Sequence, residues 1–303
     1  MTYRRALCLL ILATLLWSMA GVVTRHLDAA RSFEVTFWRS LFNALTLMMV
    51  LSVMRGPGFL LAMRQAQWPV WVSGLCWAVM YTAFMVAMTL TTVATVLVTM
   101  AVGPLVTALF ARVVLGHRLP GRTWLAIALA ALGMGWMYGR EALDGASLTG
   151  TLVASVVPLA AAANWIVLQF VASRRQHDSA AAPDMMPAVL IGALLSSLAT
   201  APAAFPLQAS AHDVALLALL GVLQLAVPCL IAVRISRELP AAEMSLYGML
   251  EVIFGVTWAW LWGGETPSWA TLTGGSLVIF ALVVNELLGR HAKAMRRHSR
   301  VVV

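Results

Sequence analysis

Apolar residues run through this chain in long blocks. Ten stretches, roughly 6–27, 33–54, 68–90, 92–114, 122–139, 147–172, 185–206, 212–236, 241–263 and 268–288, hold almost no charge. They reach or approach the ~20 residues that an α-helix needs to cross the hydrocarbon core of a bilayer. Polar and charged residues collect between the blocks, in connections too short for a soluble domain. In lipid a backbone must bond its own N–H and C=O groups, so the blocks predict helices. The expected fold is all-α and integral to a membrane, with ten transmembrane helices.

A weak internal repeat divides these blocks in two. A shift of 148 residues pairs Trp17 with Trp165, Ala94 with Ala242, Ala111 with Ala259 and Gly116 with Gly264. It also lays Glu251–Glu265 over Gly103–His117, two apolar runs that each end on a glycine and a polar residue. Each half then holds five spans, an odd number, so the second half sits upside down relative to the first. Such inverted five-helix repeats enclose a central cavity and rock against each other in many transporters. The expected units are 1–146, 147–289 and a basic tail at 290–303.

Composition agrees with this picture. Apolar residues make up 61% of the chain and charged ones 11%, far from a soluble mixture. With the N-terminus in the cytoplasm, Arg4, Arg5, Arg55, Arg64, Arg118, Arg122, Arg174, Arg175, Arg234 and Arg237 all fall on the inner side. The tail adds Arg290, Lys293, Arg296, Arg297 and Arg300, and Arg112 sits at the inner end of the fourth span, while the outer side receives only Arg25, Arg31 and Arg140. That split follows the positive-inside rule for ten spans with both termini cytoplasmic, and one span more or fewer would scramble it. The net charge of +8 is thus a topology signal, and its scatter over one-sided loops excludes a nucleic-acid partner. Membrane lipids are the expected surroundings, and the tail has the charge to touch anionic headgroups. Arg4-Arg5, the apolar run and Ser18-Met19-Ala20 also resemble a secretory leader. Its removal would delete Trp17 and leave nine spans. Cys8, Cys76 and Cys229 all lie in apolar spans, so no disulfide is expected.

Polar groups at membrane depth need a reason, because burying them is costly. Glu251 falls near the middle of the ninth span. Ionised and unpaired there, a carboxylate costs several kcal/mol. It suits a proton-coupling or ammonium-binding site, or a structural carboxyl bonded to a neighbouring helix. Arg39 suits a substrate carboxylate, or a partner in Glu34 or helix-end carbonyls near the outer surface, and Asn43 lies one turn deeper on its face. Trp17, Trp77, Trp165 and Trp258 are deep, whereas Trp68, Trp71, Trp124, Trp136, Trp262 and Trp269 sit near span ends as interfacial anchors. Trp77, Met80, Tyr81, Phe84, Met85 and Met88 form a stripe at helical spacing, either a cavity wall for an apolar ligand or plain packing. Asn164, Gln169, Gln224 and Tyr247 are uncharged polar groups at depth, fit for a zwitterion or for helix-to-helix bonds. Pro104, Pro158 and Pro228 interrupt spans four, six and eight and are candidate hinges.

Several chemistries drop out. The six histidines lie at helix ends, in loops or in the tail, and no pair has metal-ligand spacing on one helix. Lys293 is the only lysine, and no Gly-rich phosphate loop accompanies it. No cofactor, metal or enzymatic activity is expected, and an enzyme acting on lipids is the weakest reading.

Three features together carry a resemblance: Trp17-Ser18 in the first helix, Arg39 early in the second, and Glu251 leading an aromatic-rich run to Gly264-Glu265. The chain resembles ten-helix, EamA-type members of the drug/metabolite transporter superfamily. It departs at Val252, where the family commonly has proline, and at His117, where the first repeat often has glutamate. The nearest likeness is to bacterial exporters of aromatic and other neutral amino acids. The resemblance implies a bacterial inner-membrane protein working by alternating access as a functional monomer. Trp17, Trp77, Tyr81, Trp165, Tyr247 and Glu251 would face the cavity, with Asn164 and Arg39 also binding substrate. Other small metabolites or amphipathic drugs are the alternative cargo.

Overall fold

The computed structural model describes residues 3–30, 32–56, 58–115, 120–143, 148–177, 183–239 and 241–299. Arg31, Gly116, His117, Arg118 and Arg300 lie outside these described residues. The first half comprises α1 (Tyr3–Thr24), α2 (Ser32–Arg55), a short α3 (Phe59–Arg64), α4 (Trp68–Leu90), α5 (Val93–Met100), α6 (Gly103–Leu115) and α7 (Gly121–Leu143). The second comprises α8 (Leu148–His177), α9 (Met186–Ala204), α10 (Ala211–Leu219), a π-helical turn (Leu220–Ala226), α11 (Val227–Ile235), α12 (Ala241–Gly248), α13 (Leu250–Trp262) and α14 (Trp269–Ser299). Among the described residues, eight helical stretches are long and apolar enough to cross a membrane by themselves. α7 and the α12–α13 pair occupy the fifth and ninth expected spans, completing ten.

Local sequence explains several of the boundaries. Pro69 and Pro187 stand in the first turns of α4 and α9, where a missing N–H costs nothing. Thr92 caps α5 by accepting the Thr95 N–H at 3.1 Å. Ser210 and Asp213 form a reciprocal capping box at the start of α10. Between α5 and α6 the chain turns at Ala101–Val102, because Pro104 gives the helix no N–H and crowds the carbonyl one turn back. The ninth span breaks too, at Met249 after Gly248, which the apolar run did not predict. Ala101 and Met249 are related by the same 148-residue shift as Trp17 and Trp165. Pro158 and Pro228, expected to interrupt spans six and eight, do not break them. Pro158 lies inside an α8 that continues unbroken, and Pro228 follows a π-helical turn that keeps span eight continuous.

Packing repeats across the halves with opposite sense. α1 lies on α13 as α8 lies on α6, and α4 lies on α8 as α11 lies on α1. The pairs α2–α9, α7–α14 and α5–α13 each join one span to its own counterpart or to the matching interrupted span. This is the contact pattern of two inverted repeats about a pseudo-twofold axis. Small residues permit the closest crossings: a Cβ on Gly192 would stand 2.4 Å from Trp77 Cβ, and one on Gly274 would stand 2.5 Å from the Gly133 carbonyl oxygen.

Candidate functional site

The ten spans leave a cavity of about 100 Å³ at mid-depth between the two halves. Its wall is made by Trp17, Arg39, Trp77, Met80, Tyr81, Phe84, Met100, Val157, Ala161, Gln224, Leu225, Cys229 and Glu251. Both interrupted spans reach it. Met100 is the last residue of α5, and Glu251 is in the first turn of α13. Paired interruptions in corresponding spans mark binding sites in inverted-repeat carriers, because helix ends there expose polar groups at membrane depth.

One wall is aromatic. Trp77 and Tyr81 pack with ring centroids 5.5 Å apart, and Trp165 meets Trp77 edge-on at 6.1 Å and 86°. Four members of the α4 stripe, Trp77, Met80, Tyr81 and Phe84, line the cavity, while Met85 and Met88 are buried away from it. Trp165, Asn164 and Tyr247 are not in the wall. Trp165 supports Trp77 from behind. Asn164 accepts a 2.6 Å hydrogen bond from Ser73 Oγ, which ties α8 to α4. Tyr247 is half-buried in α12, short of the break. Trp258 also stays outside the wall and donates its indole N–H to Ser18 Oγ at 3.1 Å, joining α13 to α1.

Arg39 is placed differently from the expectation of an interfacial side chain paired with Glu34. Only 2% of it is exposed. Its Nε donates to Gln224 Oε1 at 3.1 Å, and its guanidinium carbon lies 5.5 Å from the Phe84 ring centroid. Glu34 instead accepts the backbone N–H groups of Gln208 and Ala209 at 2.8–3.0 Å. Glu251 lines the same cavity as Arg39, and among the described residues no protein group hydrogen-bonds its side chain. Arg39 Nη1, both polar atoms of the Asn43 amide, Trp77 Nε1 and Tyr81 Oη are buried without a well-formed hydrogen bond. The Tyr81 hydroxyl sits beside Cys229 and Asn43. Buried polar groups are normally satisfied, so such a concentration beside one cavity is a signature of a site that binds something polar.

The loop faces are clasped separately. On the face carrying the α1–α2 loop, Asp213 Oδ1 accepts the Asp28 N–H at 2.8 Å. Its Oδ2 accepts those of Ala29 and Ala30 at 3.0 Å and of Ser210 at 3.3 Å. Asp28, His212 and Asp213 could geometrically gather around an ion. The four backbone donors already occupy the carboxylate of Asp213, which makes it a loop clasp. Glu265 on the same face accepts the Val93 N–H at 2.9 Å and pairs with Arg25, whose Nη2 donates to the Thr91 carbonyl at 2.9 Å. On the opposite face Asp184 pairs with Arg55 and Arg237.

The EamA-like transporter family matches this chain twice, over residues 4–139 and 148–286. The chain belongs to the EamA-like transporter family. The two matches fall one on each inverted half, so the repeat suggested by Trp17 and Trp165 is a property of the family's own unit. No curated protein matches the chain. A solved structure titled "Crystal structure of protein" superposes with a TM-score of 0.61 at 23% identity, covering 95% of this chain and 99% of that one. That likeness shows the fold. Together these findings make the protein a multi-pass membrane transporter of small solutes.

Sequence reasoning placed Trp17, Trp77, Tyr81, Arg39 and Glu251 at this EamA-like cavity. It offered Gln224 for a zwitterion or for helix-to-helix bonds, gave Cys229 no role at the cavity, and left Met100, Val157, Ala161 and Leu225 unnamed. Cys229 and Gln224 carried a signal in being polar at depth. The aliphatic residues carried none, since an alanine facing a cavity reads like an alanine facing lipid.

Proposed function

We propose that this EamA-like transporter exports amino acids, aromatic and other neutral ones, across a bacterial inner membrane. The observation that carries the reading is the presence of Arg39 and Glu251 in the wall of one largely apolar, aromatic cavity. A guanidinium offers the matched fork for a carboxylate, and a carboxylate offers the counter-charge for an ammonium group. Trp17, Trp77, Tyr81 and Phe84 supply the surface that an apolar side chain would bury. Asn164 and Trp165 act one layer out, by fixing α4 and Trp77. Tyr247 would join the site when the halves move.

Ligand pockets usually enclose ~300–1,000 Å³. The cavity of about 100 Å³ is therefore a closed form, and loading requires the halves to separate. Pro104 at the α5–α6 break, Pro228 beside the π-helical turn and Pro158 within α8 are the proposed hinges. Arginine placement puts both termini and the 290–303 tail in the cytoplasm, and the Arg25–Glu265 face outside. Two complete repeats in one chain support a monomer as the working unit, with units at 1–146 and 147–289.

Aromatic walls also suit amphipathic drugs or other small metabolites, and this is the second reading. Uptake of labelled phenylalanine into liposomes holding the purified protein, with and without a pH gradient, tests the choice. Saturable uptake absent from empty liposomes is expected. Folded protein that takes up amphipathic cations and no amino acid would overturn the assignment.

A further inference from the structure

Gln224 is not explained by packing alone. It sits within the π-helical turn Leu220–Ala226, a register irregularity that proteins keep mostly at functional sites. Gly221 lets that turn press onto α2: a Cβ there would stand 2.7 Å from the Arg39 carbonyl oxygen and 2.9 Å from the Asn43 nitrogen. The turn thereby delivers the Gln224 amide to the side of the Arg39 guanidinium. Its Oε1 takes the Arg39 Nε–H at 3.1 Å, and its Nε2 donates to the Trp17 carbonyl at 3.1 Å. Exchanging O and N would set amide hydrogens against the guanidinium and oxygen against the Trp17 carbonyl, so both neighbours dictate one orientation.

A free arginine side chain would sweep the cavity or fold back onto Glu251. Held at Nε and covered by Phe84, it keeps its terminal nitrogens for a ligand, and Nη1 is buried with no protein partner. We infer that Gln224 is a positioning residue that aims Arg39 at a substrate carboxylate and so makes the transporter select cargo that carries one. This inference rests on the amino-acid reading above. Gln224 itself is fixed by Trp17 and Arg39 and is not the group that grips the ligand.

The test compares phenylalanine with phenethylamine, which has the same ring and ammonium group but no carboxylate. Affinities of both are measured on the full-length protein in liposomes, by competition against labelled phenylalanine. Gln224→Met keeps the side chain's length and removes its amide. Losing a charge-assisted hydrogen bond is expected to weaken phenylalanine roughly tenfold or more. Phenethylamine should stay within about twofold of wild type on the same scale. Gln224→Glu, which keeps a polar group at the site but neutralises Arg39, should show the same selective loss. Equal weakening of both ligands would indicate a structural role and overturn the inference, as would unchanged phenylalanine affinity in both variants. Wild-type protein that binds no amino acid is a separate outcome, read before any variant, and it sinks the amino-acid reading together with this inference.

Discussion

Replacing Glu265 by alanine should unlatch the face that carries Arg25. Glu265 belongs to the second half, and among the described residues its side-chain bonds are to Val93 and Arg25 of the first. It accepts the Val93 N–H at 2.9 Å with one oxygen and at 3.3 Å with the other, and it pairs with Arg25. Opening this face requires these bonds to break, so they contribute only to the closed state. A hydrogen bond to an ionised group contributes about 1.5–3 kcal/mol. The ion pair adds at most about 1 kcal/mol, because water reaches it: the side chains are 27% and 14% exposed. Removing the carboxylate should therefore favour the open form by about 2–3 kcal/mol, roughly 30- to 150-fold in its population. Asp213 and Glu34 still tie loops across the halves, and they set the starting population without changing this ratio. Cys229 is a natural reporter, since it lines the cavity and is fully buried in the closed form. With Cys8 and Cys76 replaced, a membrane-impermeant thiol reagent added from outside should label Cys229 faster in Glu265→Ala by a similar factor. Glu265→Gln, which retains one acceptor, should fall between. If folded Glu265→Ala labels within threefold of the parent, then opening does not break these bonds and the latch is decorative.

Three further outcomes follow from the packing and the site. Gly192→Ala would force a Cβ to within 2.4 Å of Trp77 Cβ, so α4 and α9 must move apart. A loss of about 1–3 kcal/mol is expected, read as a lower Tm in detergent; an unchanged Tm would refute the close crossing. Asp213→Ala strips four backbone N–H groups of their acceptor. This should cost about 2–4 kcal/mol, again visible in Tm, with Asp213→Asn recovering part of it. Glu251→Gln preserves shape and removes the charge. It should weaken phenylalanine binding at least tenfold yet leave phenylpropionate, which has no ammonium group, unaffected; equal effects on both would remove Glu251 from ligand contact.

Much of the architecture was legible in the chain, because lipid enforces it residue by residue. Ten apolar blocks had to be helices once no water was available to their backbones, and arginine placement gave an expected order across the bilayer. The Trp17–Trp165 register announced two halves, and the odd count of five turned one of them over. The candidate site was half legible. Arg39 and Glu251 stood out as charges at depth, and the α4 stripe pointed at the cavity with its first four members.

Partners were another matter, because they are chosen by contacts between residues far apart in the chain. Glu34 and Arg39 are five positions apart on one helix, and Glu34 was one of the partners weighed for Arg39. The fold instead brought Gln208 and Ala209 to Glu34 and Gln224 to Arg39. The break at Met249 has no proline to announce it, unlike its counterpart at Ala101–Val102, and the π-helical turn at Leu220–Ala226 leaves no mark in hydropathy. The sequence alone determined which segments enter the membrane, how many and with what symmetry, since burial in lipid is a property of each segment's own composition. Only tertiary structure decided which polar groups meet inside it, since hydrogen bonds depend on distances of a few ångströms that helix crossings set.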